Sequence, residues 1–238
     1  MSLSVAVVTS TQGRDTLTRC IESVHNQTYR ATHYVFAHGQ EYSDKVQSLV
    51  SPDTITVHLP RANGRGGLAM APVFAAAPYI IDEDVVFYLD DDNFYDPDHI
   101  ESLVTLIEQH DLGWAYSLRK IVDNDGNYLF DDNCESLGCQ PNASGHYLVD
   151  NSCYAVRADV ARKHSHAWYI PVVSDRSFQA SLMQARVRCG TSGKHSVSYR
   201  LSHDGSGGMS KEAFTDNNHF MRSKFTDFPW TKRQIFNY

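Results

Sequence analysis

The chain has 238 residues, 42% hydrophobic and 21% charged, proportions of a globular protein with enough length for one well-buried core. Its formal net charge of −7, with Lys and Arg scattered, argues against a nucleic-acid partner, which calls for a basic surplus or stripe. No apolar run approaches the ~20 residues that span a bilayer, and the opening Met1-Ser2-Leu3-Ser4 lacks the basic start and cleavage site of a secretory signal; the expectation is a soluble, cytoplasmic protein without a transmembrane segment.

In chain order, Leu3–Thr9 is a β-branched apolar run suited to a strand buried on both faces. A polar loop, Ser10–Arg14, follows. Leu17, Cys20, Ile21 and Val24 then repeat at helical spacing and give one apolar face. His33–Ala37 and Thr54–Leu59 read as the next strands, and Asp84–Leu89 as a fourth that ends in acids. Pro72 makes any helix after the Gly-rich stretch 63–69 start late or bend. Asp96-Pro97 predicts a helix start, with Asp as N-cap and Pro at the first position, and Ile100, Leu103, Val104 and Ile107 as its buried stripe. Alternating strands and helices imply a mostly parallel sheet whose ligands bind at the C-terminal edge.

Beyond Trp114 the pattern changes. Trp114–Leu118 is a candidate strand, and Asp123–Asn127 is a turn signal between short apolar runs, hence a hairpin. Residues 131–146 read as a long loop. A helix is expected near Ser174-Asp175, with Phe178, Leu182 and Ala185 inward. The Gly-rich His203–Ser210 suits a mobile lid. The five cysteines (Cys20, Cys134, Cys139, Cys153, Cys189) are odd in number and form no CxxC pair. That favours reduced, buried thiols over a linked or metal-binding Cys134/Cys139 pair.

The chemistry concentrates in Leu89-Asp90-Asp91-Asp92-Asn93. Three consecutive carboxylates repel one another, so in a cleft they call for a cation. On an extended segment side chains alternate, which turns Asp90 and Asp92 toward one ligand and Asp91 away. Hard oxygen ligands suit magnesium or manganese shared with a diphosphate. The competing reading is a solvated acidic turn that caps the next helix. An EF-hand is excluded, because its sixth loop position is Tyr95 rather than Gly.

Three stretches carry a resemblance to GT-A-fold glycosyltransferases of the inverting family 2 type. They are Val5–Thr9 with Arg14, Leu17, Cys20-Ile21, Ser23-Val24 and Gln27-Thr28-Tyr29; the loop Asn63–Ala69; and Phe87–Asp92, similar to a DxD motif. The resemblance implies an α/β GT-A fold, with a mostly parallel central sheet flanked by helices. It implies one domain over 1–238: a donor-binding half to about residue 110, an acceptor half over about 111–205 and a tail over 206–238. The implied cofactor is a divalent cation, Mn²⁺ or Mg²⁺, on Asp92, with His203 as a late metal ligand. Thr9, Arg14, His38, Arg65, Asp90 and Asp91 would surround a nucleotide-sugar donor, and Arg61 is a further candidate for the diphosphate. Asp150–Cys153 would line the side of a carbohydrate or other hydroxyl acceptor, and Asp175 would be the general base. One departure stands out: Ala37-His38-Gly39-Gln40 replaces the acidic pair that usually helps hold the nucleoside. A single base with direct displacement implies inversion, whereas a glycosidase would flank its bond with two carboxylates. The rival readings are a sugar-phosphate nucleotidyltransferase and a non-catalytic binding protein of the same fold.

Overall fold

The β-branched N-terminal run forms β1 (Val5–Thr11), buried from Val5 to Thr9, in a computed structural model that describes residues 2–64, 68–201 and 209–237. With β2 (Thr32–His38), β3 (Ile55–Leu59) and β4 (Val85–Tyr88) it makes a parallel set in the spatial order β3-β2-β1-β4. Strand β1 runs two residues further than the sequence pattern suggests, so Ser10 and Thr11 belong to it rather than to the loop. Helix α1 (Leu17–His25) buries Leu17, Cys20, Ile21 and Val24, the face expected of it. Each such aliphatic side chain, fully buried, contributes about 1.5–3 kcal/mol. The short helices α2 (Ser43–Leu49) and α3 (Ala71–Ala76) follow β2 and β3. Pro72 sits in the first turn of α3, where its missing N–H costs nothing.

Helix α4 (His99–His110) buries Ile100, Leu103, Val104 and Ile107, but it begins three residues after the expected Asp96 cap. The Asp96 carboxylate is drawn instead to Lys120 Nζ, 2.6 and 2.7 Å from its two oxygens. Its carbonyl closes a turn by accepting the His99 N–H at 3.1 Å.

The second half departs from parallel order. Strands β5 (Phe94–Tyr95), β6 (Trp114–Val122), β7 (Tyr128–Asp131), β8 (Tyr154–Arg157), β9 (Cys189–Arg200) and β10 (Gln234–Phe236) extend one ten-stranded sheet, ordered β10-β9-β6-β8-β4-β1-β2-β3 with β5 on β9 and β7 on β6. β8 is antiparallel to both β4 and β6, so the parallel ladder is interrupted beside β4. A parallel neighbour needs a long crossover, usually helical, and residues 132–150 contain no helix. The β6–β7 hairpin turns where expected: Asp123 Oδ1 accepts the N–H groups of Asp125 and Asn127, and Gly126 takes φ 80°.

Helices α5 (Ala158–His164) and α6 (Ser174–Gln184) lead into β9. Phe178 and Leu182 of α6 are buried, whereas Ala185 lies past the helix end and is exposed. The C-terminal segment adds α7 (Lys211–Lys224), capped by Ser210 Oγ, and the edge strand β10. Phe214, Met221 and Trp230 pack with Leu118, Ile121, Cys134 and Leu137 into a second, smaller core. No cysteine is in a disulfide; Cys134 Sγ faces Asp132, and Cys139 Sγ lies 3.6 Å from Cys189 Sγ. No helix among the described residues is long and apolar enough to cross a membrane.

Candidate active site

β1, β2 and β4 release the chain at one edge of the sheet, where α/β folds place ligands. A cleft of about 1120 Å³ opens there, and the segments after β1 and β4, the turn before β8 and the start of α6 all line it.

The acids after β4 do not continue as an extended segment. Asn93 N–H closes a turn onto Asp90 O at 3.1 Å, so the expected alternation gives way to three separately held carboxylates. Thr11 Oγ donates to Asp91 at 2.6 Å, and Arg14 Nη1 reaches Asp92 at 2.7 Å and Asp91 at 3.5 Å. Asn151 Nδ2 donates to Asp90 at 2.7 Å. Burial pushes Asp91 up to about 6, against the pull of Thr11 and Arg14. Burial, then the charges of Asp92 and Asp150, hold Asp90 well above the usual carboxylate range. Burial raises Asp92 as well, with Arg14 opposing.

A divalent ion fits this donor set, since it would neutralise the mutual repulsion of Asp90 and Asp92. No three His, Cys, Asp or Glu converge among the described residues. Such an ion would therefore take one or two carboxylates here and complete its shell with diphosphate oxygens and water, as magnesium commonly does.

Asp175 stands in the first turn of α6 on the same cleft. It is not the cap, which is the position of Val173; its Oδ1 accepts the Arg176 N–H at 2.7 Å. Burial pushes it up to about 6, with Arg176 pulling down and Asp150 pushing up.

Of the expected donor-site residues, Thr9 is placed elsewhere and His38 is at the cleft. Thr9 is fully buried, its hydroxyl bonded to His33 Nε2 at 2.9 Å, and it does not line the cleft; Ser10, Thr11 and Gln12 do. Thr9 sits too deep in the sheet, two residues before the strand ends. His38 does line the cleft, with Nε2 accepting the Asn63 N–H at 2.8 Å; burial lowers its pKa and keeps the ring neutral. Arg65 and His203 lie outside the described residues, as does most of the Gly-rich stretch 203–210.

Arg119 belongs to no motif in the sequence, yet it stands on this cleft. It lies in β6 with only 3% of its side chain exposed. Its nitrogens reach Asp132 at 2.8 Å, Asp150 at 2.5 Å and the Glu135 carboxylate, and its guanidinium lies 4.1 Å from the Tyr199 ring centre. Burial alone would lower its pKa, but Asp150, Asp132 and Glu135 together hold it well above the ordinary value. The signal was a charge inside the apolar run Trp114–Val122.

Residues 4–137, more than half of the chain, match the profile described as Glycosyl transferase family 2. The chain belongs to glycosyl transferase family 2. The family-2 match takes in β1, the acid cluster and the start of the loop behind Arg119. A Haemophilus influenzae protein, described as an uncharacterized protein, is 40% identical over 57 residues, 24% of this chain and 37% of that protein. The chain thus spans little more than a third of that relative. Among solved structures, S. aureus TarS 1–349 in complex with UDP-GlcNAc is similar, with a TM-score of 0.66 and 13% identity over 95% of this chain and 68% of that one. A longer S. aureus TarS structure gives 0.62 and 12% over 95% of this chain and 40% of that one. At such identities the likeness establishes the fold, and that fold is GT-A.

Proposed function

We propose that this family-2 chain moves a sugar from a nucleoside-diphosphate donor to an acceptor hydroxyl, with a divalent cation and with inversion. The observation that carries the reading is the meeting of Asp90, Asp91 and Asp92 with Asp175 in one cleft at the sheet's C-terminal edge.

The Asp175 carboxylate, ionised at neutral pH despite its raised pKa, takes the acceptor hydroxyl's proton as that oxygen attacks the anomeric carbon. The bond to the diphosphate breaks in the same displacement, so the configuration inverts. A bound divalent cation supplies Lewis-acid neutralisation of the departing diphosphate, and Asp92, with Asp90, would hold it. Arg14 and Thr11 keep Asp91 and Asp92 in place beside it. With Nε2 committed to Asn63, His38 carries its proton on Nδ1. It therefore offers the base a donor where a carboxylate would offer an acceptor. Similarity to a structure solved with UDP-GlcNAc supports UDP-sugars as the first donors to try.

A panel of nucleotide sugars incubated with manganese tests the reading. Release of nucleoside diphosphate is the expected result. Release of pyrophosphate when a sugar phosphate is supplied with a nucleoside triphosphate would instead favour a nucleotidyltransferase, and binding without turnover a non-catalytic protein.

A further inference from the structure

Arg119 holds an array of polar groups, two of which remain open to the cleft. Of its carboxylate partners, Asp132 also accepts the N–H groups of Cys134, Glu135 and Ser136, and Asp150 also accepts the N–H of Ser152. Glu135 differs: one oxygen meets Arg119, and the other has no hydrogen-bond partner among the described residues. The Tyr199 hydroxyl likewise has none, although its ring lies against the same guanidinium. Neither atom is sealed in the core, and both residues line the cleft that holds Asp175.

A carboxylate oxygen only accepts, and a phenol donates or accepts. Held on one guanidinium, they complement a ligand rich in hydroxyls. Arg119 fixes both before any ligand arrives, so little orientational entropy is lost on binding. Its three nitrogens are each already engaged by a carboxylate, so this wall is not built to take an anionic group.

We propose that Glu135 and Tyr199, held by Arg119, form a hydroxyl-recognition subsite for the acceptor. The acceptor is then a polyol or sugar that presents a second hydroxyl near the one that attacks. This rests on the glycosyl-transfer reading for its name, but its test is a binding measurement that does not need turnover.

Saturation-transfer NMR on the full chain provides that test, with ribitol and methyl glucoside as probes and 1-propanol as the single-hydroxyl control. A nucleotide sugar with manganese serves as the internal reference. The polyols should give signal and 1-propanol none. Glu135→Gln puts an amide N–H where an acceptor stood, leaves Arg119 two carboxylates, and should weaken polyol affinity about tenfold or more, as expected for a lost hydrogen bond to a charged group. Tyr199→Phe should weaken it by about two- to tenfold, the neutral case. Polyols that fail to bind the wild-type chain, or that bind both variants as tightly, overturn the subsite. Loss of the nucleotide-sugar signal with polyol binding kept would strike the glycosyl-transfer reading and leave the subsite standing.

Discussion

Burial, and then the nearby charge of Asp150, push Asp175 up to about 6 in the folded chain, above the 3.8 of a free carboxyl. A folded-state pKa above the unfolded one means that the native state binds the proton more tightly. The resulting stability is full below the unfolded value and is lost as pH rises through about 6. Asp175→Asn cannot titrate, so calorimetric melts should show the variant gaining on wild type between pH 4 and 7, with unmodified turnover in the wild type falling below about pH 6 as the base protonates. A variant that instead loses ground as pH rises would place the carboxylate in a stabilising role. Asp92→Asn should remove the enhancement of nucleotide binding by manganese while circular dichroism stays native, because burial already disfavours that charge. An unfolded variant would make the acids structural. The placement of Asp90, Asp92 and Asp175 at the sheet's edge was legible in the sequence because each stands at the end or start of an element that local pattern defines. Arg119 was not, because its carboxylate partners lie 13, 16 and 31 residues away. Thr9 was misplaced because a strand's exit point, two residues later, depends on what packs over it.

At the level of elements, the loop from 132 to 150 brings Glu135 and Asp150 to the cleft, and it docks on β6 through Gly138. That glycine adopts φ +68°, and a Cβ there would lie 2.0 Å from the Tyr116 ring. Its N–H and carbonyl are bonded to Leu148 and Gln179. Gly138→Ala must therefore shift either the loop or Tyr116. Such overpacking costs about 1–3 kcal/mol, or roughly 2–4 °C of melting temperature per kcal/mol in a chain of this size. Thermal denaturation should show that drop, and an unchanged melt would mean that the loop is not docked as described. The helical faces of α1 and α4 could be anticipated because 3.6-residue periodicity is local. The late start of α4 and the reversed direction of β8 could not. The first turns on Lys120 of β6 drawing Asp96 away, and the second on the missing crossover helix before β8.

Across the whole molecule, the sheet joins two kinds of surface: the parallel strands that present the acid cluster and the mixed strands that present Arg119 and, beyond them, Asp175. The chain Arg119–Asp150–Ser152 ties them, since Ser152 Oγ meets both Asp90 N–H and Asn93 Nδ2. Donor binding should therefore need the metal and transfer should need Asp175, each separately. Titration calorimetry should show nucleoside diphosphate binding with manganese or magnesium and far weaker binding after chelation; equal affinity in both conditions would remove the metal. The most direct test is the transfer rate of Asp175→Asn at saturating donor, acceptor and manganese. Asn keeps the side chain's shape and removes its basicity. At neutral pH the variant should melt no lower than wild type and bind donor as tightly, with turnover lowered about 10²–10⁴-fold, the worth of a general base. A variant that keeps more than about a tenth of wild-type turnover, well short of that range, would contradict that role.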